Sequence, residues 1–448
     1  MKTSTTGNAD DWEPVKTEPG MPSKLVAWRQ KLSEKAKQEK TFRFYTLYGL
    51  VGHPDTLRWA WVLVRRNDGA PGVDRITFEQ IEQREGGVDR FLNEVEQELK
   101  EKTYKAQPVR RVYIEKENGK LRPLGIPVIK DRVVQMAVKL IIEPIFEADF
   151  NDCSYGYRPN RSAKDAIQAI QGHLKDGKCE VYDADLSGYF DSIPHDKLMA
   201  CLQKRIVDGG VLRLIRQWLK APVVEPSDKG KGPKVTRQDK GTPQGGVISP
   251  LLANLYLHWF EVVLLREFKR GHATAGLVRY ADDFVILTSH LTERLTSFVE
   301  EKLEGWMGLR INREKTRCVN LREDGQRLDF LGYSLRYDRD LHGRPWNYLN
   351  VFPSPKALKR ERAKVQAMTD KRQCFTPVPE LIERINRHLK GWANYYAYGY
   401  PRKAYRDMNQ HVRQRLVINL KRRSQRQYKL PPGLTYYQHL NELGLITL

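Results

Sequence analysis

Cysteine is scarce and poorly placed for structural duty. The five residues Cys153, Cys179, Cys201, Cys318 and Cys374 are odd in number, far apart and never in a CxxC spacing. That excludes a disulfide framework and a Cys-ligated zinc, and it fits a reducing compartment. Long apolar runs are missing too. The longest uncharged stretch, residues 241–260, carries Pro243, Gln244, Pro250, Asn254 and His258, and is no membrane span. The first twenty residues lack the apolar segment of a signal peptide, so an intracellular protein without a membrane partner is expected. Internal repeats and long low-complexity tracts are absent. Acid is in deficit as well: 55 Asp+Glu stand against 77 Lys+Arg, a net +22 over 448 residues. Such an excess points to a polyanion, most often nucleic acid. With 29% charged and 40% hydrophobic residues, the chain is neither disordered nor fibrous, and its length predicts several domains.

What is present divides along the chain. Residues 1–22 read as a disordered lead-in and 23–40 as a basic helix, so 1–40 forms an N-terminal tail and helix. A helix is predicted over 88–102, where Phe91, Val95 and Leu99 recur at helical spacing. Residues 109–127 read as a hairpin turning at Asn118-Gly119, and 131–146 as a strongly apolar helix. Strands and helices mix over 178–345. Beyond Phe352 strand signals vanish, and helices are predicted over 355–370, 377–398 and 401–423. Residues 351–430 hold 20 Lys+Arg against 5 Asp+Glu, a net +15, with Tyr395, Tyr396, Tyr398, Tyr400 and Tyr405 interleaved. Basic helices with aromatics suit RNA, whose unpaired bases stack on rings; the plainer reading makes the tyrosines core residues.

Chemistry is concentrated in two acidic strands. GLVRYADDFVILTS (276–289) has the pattern of a hairpin with Asp282 and Asp283 at its tip. Paired acids suit a turn poorly, because tips favour Asn-Gly and the charges repel, so a divalent cation is the natural compensation. A DD pair alone is more often a solvated loop. In VYDADLSGYFDS (181–192), Asp183 and Asp185 share one strand face. One acid from here, converging with Asp282 and Asp283, supplies the carboxylates that hold two Mg²⁺ for nucleotidyl transfer.

At these residues the sequence resembles a known family. YADD (280–283) is similar to the YxDD box of reverse transcriptases, in the Ala form typical of group II intron-encoded proteins. DLSGYFD (185–191) and GTPQGGVISP (241–250) resemble their motifs A and B. GKLRPLGIP (119–127) and SYGYRPNRS (154–162) match fingers motifs, FLGY (330–333) the primer-grip block, and HLKGWANYY (388–396) the maturase signature. The matches run in family order from about residue 67 to about 425.

The resemblance implies an α+β right-hand polymerase: fingers over 41–177, an antiparallel palm sheet over 178–350, a helical thumb/maturase domain over 351–430, and a short tail over 431–448. It assigns Asp185, Asp282 and Asp283 to catalysis and metal binding, with the Leu186 carbonyl as a further ligand. Lys120, Arg122, Phe190, Gln244 and Lys315 fall where the family contacts the dNTP: Phe190 as the 2′-hydroxyl barrier, Lys315 as a proton donor to pyrophosphate. Arg158, Arg161, Gly332, Arg384, Arg387, Lys390, Arg422 and Arg423 fall where nucleic acid is held. Asp183 and Asp191 receive no metal role, and Asp191 is expected to cap the next helix. The implied partners are structured intron RNA, an RNA template, a DNA primer and dNTPs, with two Mg²⁺ per site, in a bacterial cytoplasm or nucleoid. No HNH nuclease is expected after Cys374. Two alternatives share these motifs: an RNA-binding splicing cofactor with a dispensable polymerase, and a group II-like enzyme recruited to defence or repair.

Overall fold

The computed structural model describes residues 18–115, 119, 121–225, 234–270, 275–340, 347–424 and 428–448. Most of the expected lead-in and the Asn118 turn position lie outside the described residues. In chain order the strands are β1 (Val109–Glu115), β2 (Leu121–Ile126), β3 (Glu180–Ala184), β4 (Val223–Glu225), β5 (Lys234–Thr236), β6 (Gly276–Tyr280), β7 (Asp283–Thr288), β8 (Arg317–Asn320), β9 (Leu328–Phe330), β10 (Tyr333–Arg339) and β11 (Asn347–Pro353).

The central sheet has the order β6-β7-β3-β8, with every neighbouring pair antiparallel. Its strands β6 and β7 read as nearly unbroken apolar runs because both faces are covered. Tyr182, Ala184, Leu277, Phe284 and Ile286 pack into one core, which also takes the N-terminal and fingers helices. Their strand neighbours Val181, Val278, Val285 and Leu287 pack into a second core, which takes the C-terminal helices. Strict alternation appears only when one face meets water, so β6 and β7 show none. A second sheet, β2-β1-β4-β5, contains the hairpin expected over 109–127, with Arg110 opposite Ile126. The third, β11-β10-β9, bridges the central sheet and the C-terminal helices.

Helices Gly87–Lys100 and Ile129–Glu147 lie where periodicity predicts them. The second is buried almost all round, from Ile129 to Phe146, and serves as a pillar rather than an amphipathic cover. Beyond β11 run Pro355–Met368, Val378–Tyr395 and Arg402–Arg422. The last segment departs from expectation. Residues 431–448 are no loose tail: helix Tyr436–Glu442 opens on a Thr435/Gln438 capping box, and Leu440 and Leu445 are buried. Asn386 and Asn409 donate to the carbonyls of Gly444 and Leu448 at 2.7 and 3.1 Å. So short a segment carries too few apolar residues to show a period.

Candidate active site

The β6–β7 tip is a two-residue turn, Ala281-Asp282, closed by the Tyr280–Asp283 pair. Ala281 adopts φ +59°, a region costly for a residue with a Cβ. A side chain that sequence reading left unmarked holds it there. Arg279 is wholly buried, and its guanidinium donates to the Ala281 carbonyl at 2.7 Å, Asn254 Oδ1 at 2.9 Å and Ser154 Oγ at 2.6 Å. Its Nε donates to Glu261 Oε1 at 2.5 Å, and Glu261 is equally buried. Burial pushes the Glu261 carboxyl up, but Arg279, His258 and Asn151 outweigh it and hold the group at about 2. From the fingers side, a Cβ on Gly156 would lie 2.4 Å from the Ala281 amide. Only glycine lets that loop press on the turn.

Asp185 stands one residue beyond β3. Its carboxylate accepts from Asn312 Nδ2 at 3.0 Å and from Lys315 Nζ at 3.1 Å. Leu186 forms an antiparallel bridge with Ile311, made by the Asp185 carbonyl and the Ser187 amide, which leaves the Leu186 carbonyl out of the pairing. Asp185, Asp282 and Asp283 act on one another electrostatically. Burial raises Asp283 to about 6, with Asp282 and Asp185 adding to the rise; burial and Asp185 also raise Asp282. Asp183 joins this field: burial first, then Asp283, lift it to about 7. Among the described residues no three acids, histidines or cysteines stand close enough to form a ready metal cage. The donor set is nonetheless all carboxylate, carries surplus negative charge and suits a hard divalent cation.

Motif B closes a second side. Arg122 Nε donates to Gln244 Oε1 at 2.8 Å, and Gln244 Nε2 approaches Asp191 Oδ2 at 3.4 Å. Asp191 therefore does not cap the following helix, which starts from Pro194 without a side-chain cap. Gly245 takes φ +117°, and a Cβ there would meet the Gly125 carbonyl oxygen at 2.5 Å. Phe190 is buried, with its ring edge-on to Tyr157 at 6.4 Å. Tyr157 was not anticipated. It is half exposed, adopts φ +59°, and its hydroxyl is raised by burial and by Asp282. Neither its type nor its spacing signals such a position.

Several expected contacts do not match the structure. Arg158 does not reach solvent: its guanidinium is used on Glu147 at 3.0 Å and on the carbonyls of Asn151 and Ser154 at 2.6 and 2.9 Å. Burial nevertheless raises Glu147 to about 7. Arg161 bonds Asp152 at 2.7 Å. Gly332, at φ +81°, makes room for Tyr396, whose hydroxyl would lie 2.5 Å from a Cβ. Lys315 lies on Asp185 rather than standing free toward a leaving group. Lys120 is outside the described residues. Arg384, Arg387, Lys390 and Arg422 are exposed, although Arg384 bonds Gln373 at 3.0 Å and Arg387 pairs with Glu383 at 2.9 Å; Arg423 bonds Thr376 and Asn419. Most of the interleaved tyrosines are packing residues. Tyr395 and Tyr396 lie on Tyr333 at 5.9 and 5.0 Å, and Tyr405 bonds the Ala393 carbonyl at 2.8 Å.

Comparison with known proteins agrees with this geometry. A reverse transcriptase (RNA-dependent DNA polymerase) family model matches residues 114–335, and a group II intron, maturase-specific domain model matches 358–431. Protein YkfC of Escherichia coli (strain K12) is 34% identical over 365 residues, covering 73% of this chain and 92% of that protein. Group II intron-encoded protein LtrA of Lactococcus lactis subsp. cremoris is 30% identical over 379 residues. The chain belongs to the group II intron reverse transcriptase/maturase family.

As a group II intron reverse transcriptase/maturase it is an RNA-directed DNA polymerase with a maturase domain, from a family that uses divalent metal ions. It spans 60% of LtrA's length, with 70% of this chain in that match. Among solved structures, telomerase from Candida albicans with a fragment of telomeric RNA overlays 70% of this chain and 59% of that one, at 12% identity and TM-score 0.43. The fold assignment rests on the sheets and the family match, not on so partial an overlay. No described helix is long and apolar enough to cross a membrane.

Proposed function

We propose that this reverse transcriptase extends a DNA 3′ end along an RNA template from dNTPs, and that its basic C-terminal helices hold structured intron RNA. The observation that carries the reading is the mutual field of Asp185, Asp282 and Asp283 at the meeting of β3 with the β6–β7 turn. Burying acids together raises their proton affinity and is costly unless a cation compensates. Asp185, Asp282 and Asp283, with the Leu186 carbonyl, would hold two Mg²⁺. That pair would activate the 3′-hydroxyl and stabilise pyrophosphate.

The chain's own residues supply the rest. Arg279 fixes the turn that carries Asp282 and Asp283 through the Ala281 carbonyl. Arg122, aligned by Gln244, offers its remaining donors to a triphosphate. Phe190, held edge-on by Tyr157, presents a wall to a ribose 2′-hydroxyl. Lys315, 3.1 Å from the Asp185 carboxylate, would lie beside the phosphates of a bound dNTP and could supply a proton to the leaving pyrophosphate. Arg384, Arg387, Lys390 and Arg422 face solvent for the RNA backbone.

Primer extension on an RNA template with dNTPs and Mg²⁺ tests the enzymatic half, and a wild type no more active than Asp282→Ala would sink it. The maturase-domain match over 358–431 favours a second role in splicing. Asp282→Ala should still support intron splicing if RNA folding depends on the helices alone. Splicing lost together with polymerization would instead tie the two activities to one site.

A further inference from the structure

Phe375 is the most exposed large apolar side chain among the described residues, at 83%. It lies in KRQCFTP (371–377), which links helices Pro355–Met368 and Val378–Tyr395. An apolar ring on a slack loop would turn inward to shed its water contact. This loop is instead tied on both sides of the ring. The Thr376 carbonyl accepts from Arg423 Nη1 at 2.7 Å, and Gln373 Oε1 accepts from Arg384 Nη2 at 3.0 Å. Asn419 reaches Cys374 Sγ at 3.7 Å and the Thr369 carbonyl at 3.2 Å. Asp370 accepts from the Arg372 amide at 3.1 Å and so caps the short turn before the ring. Pro377 stiffens the far side. The ring is held out.

Its surroundings are cationic. Lys371 and Arg372 precede it in the loop, with the Arg372 side chain 87% exposed. Arg384, Arg415 and Arg423 pin the loop from the two neighbouring helices. Asp370, just before the loop, caps it through the Arg372 amide and lies 3.9 Å from the Arg372 guanidinium, offsetting part of that charge.

We propose that Phe375 is a stacking platform for an unpaired base of the RNA held by the C-terminal helices, with the flanking cations on the adjoining phosphates. The inference rests on the RNA-binding reading given above and adds the site and the feature recognised. A lone ring among cations suits a looped-out nucleotide: any base can stack on it, and its backbone supplies the counter-charge. A protein partner would need a broader apolar patch, whereas the exposed side chains beside Phe375 are the cations Lys371 and Arg372 and the small ring of Pro377.

Fluorescence anisotropy tests this with two labelled probes: a hairpin RNA with an unpaired adenosine loop, and a blunt RNA duplex of equal length. Phe375→Ala should bind the hairpin roughly tenfold more weakly than wild type and the duplex equally well. Phe375→Trp should restore hairpin binding, whereas Phe375→Leu should not. The salt dependence should match wild type in all three, because no charge is altered. The exposed ring contributes little packing, so all variants should keep the wild-type melting temperature. If Phe375→Ala equals wild type on the hairpin, or Phe375→Leu restores as well as Trp, the platform is overturned while salt-dependent RNA binding still stands. Wild type that binds neither probe in a salt-dependent way would overturn both.

Discussion

At the scale of single residues, the site depends on groups that are expensive to bury. Arg279 and Glu261 are fully buried together, and removing one member of such a pair costs about 3–5 kcal/mol because the other is left uncompensated. Glu261→Gln should therefore lower urea stability by that order. Replacing both charges, as Glu261→Leu with Arg279→Met, should recover part of the loss. A single substitution that leaves both the stability and the polymerase rate unchanged would show that Arg279 does not hold the turn. Asp131 provides a pH handle outside the acidic cluster. It accepts from Tyr104 Oη at 2.6 Å and the Gln107 amide at 2.8 Å, yet burial dominates and raises it to about 6. The folded state therefore keeps this proton to higher pH than the unfolded chain does. The stability that proton confers is complete below the ordinary carboxyl range and is lost as pH rises through about 6. Relative to Asp131→Asn, wild type should lose on the order of 3 kcal/mol between about pH 4 and pH 7 in urea titrations. A pH-independent difference would rule out this titration.

At the scale of elements, the proposed nucleotide pocket adjoins a junction between the motif B loop and β2. The Gly125 amide donates to the Gln244 carbonyl at 2.6 Å, and Gly245 faces the Gly125 carbonyl too closely for any side chain. Gly245→Ala combines a forbidden φ with a backbone clash and should cost about 1–3 kcal/mol. It should also raise the KM for dNTP while leaving RNA affinity unchanged. An unaltered KM would detach this loop from the pocket. Element positions were largely readable from the sequence, because apolar spacing marks helices such as Gly87–Lys100, and the acids flanked by β-prone runs mark the tip of β6–β7. The turn's positive φ at Ala281 was not readable. Alanine does not favour it, and the force that imposes it comes from Arg279 and Gly156, which are distant along the chain or unmarked by type.

At the scale of the whole molecule, charge and packing divide the work. A net +15 over residues 351–430 makes RNA affinity strongly salt-dependent, since each phosphate contact contributes roughly 0.7–0.9 to the logarithmic salt slope. A slope of several units is expected for intron RNA, measured by filter binding across a salt series. A slope below about one would deny the basic helices an electrostatic grip. The same helices also complete a core with the central sheet, through Val285 and Leu287 on one side and Leu389, Met408 and Leu416 on the other. Leu440 belongs to that core, so Leu440→Ala should lower stability by about 2–5 kcal/mol despite its place near the C-terminal end of the sequence. A cost of a few tenths would mean that the final helix is only an appendage.

By itself the sequence determined the kind of chemistry: acids in two β-prone settings, ordered polymerase motifs, and a basic helical segment with the maturase signature. Those features are local, and a residue type at a fixed spacing carries them. The tertiary structure decided which cations are available and which are structural. Arg158, Arg161 and Arg122 all looked like ligand-binding arginines, yet Arg158 is used up inside the fold and Arg161 bonds Asp152, while Arg122 is only aligned by Gln244 and keeps donors to spare. It likewise packed Tyr396, Tyr398 and Tyr405 against the C-terminal core and left Tyr400 and Phe375 exposed. Whether a polar or aromatic side chain meets a partner or the solvent depends on what the rest of the chain packs against it, and no spacing along one segment encodes that.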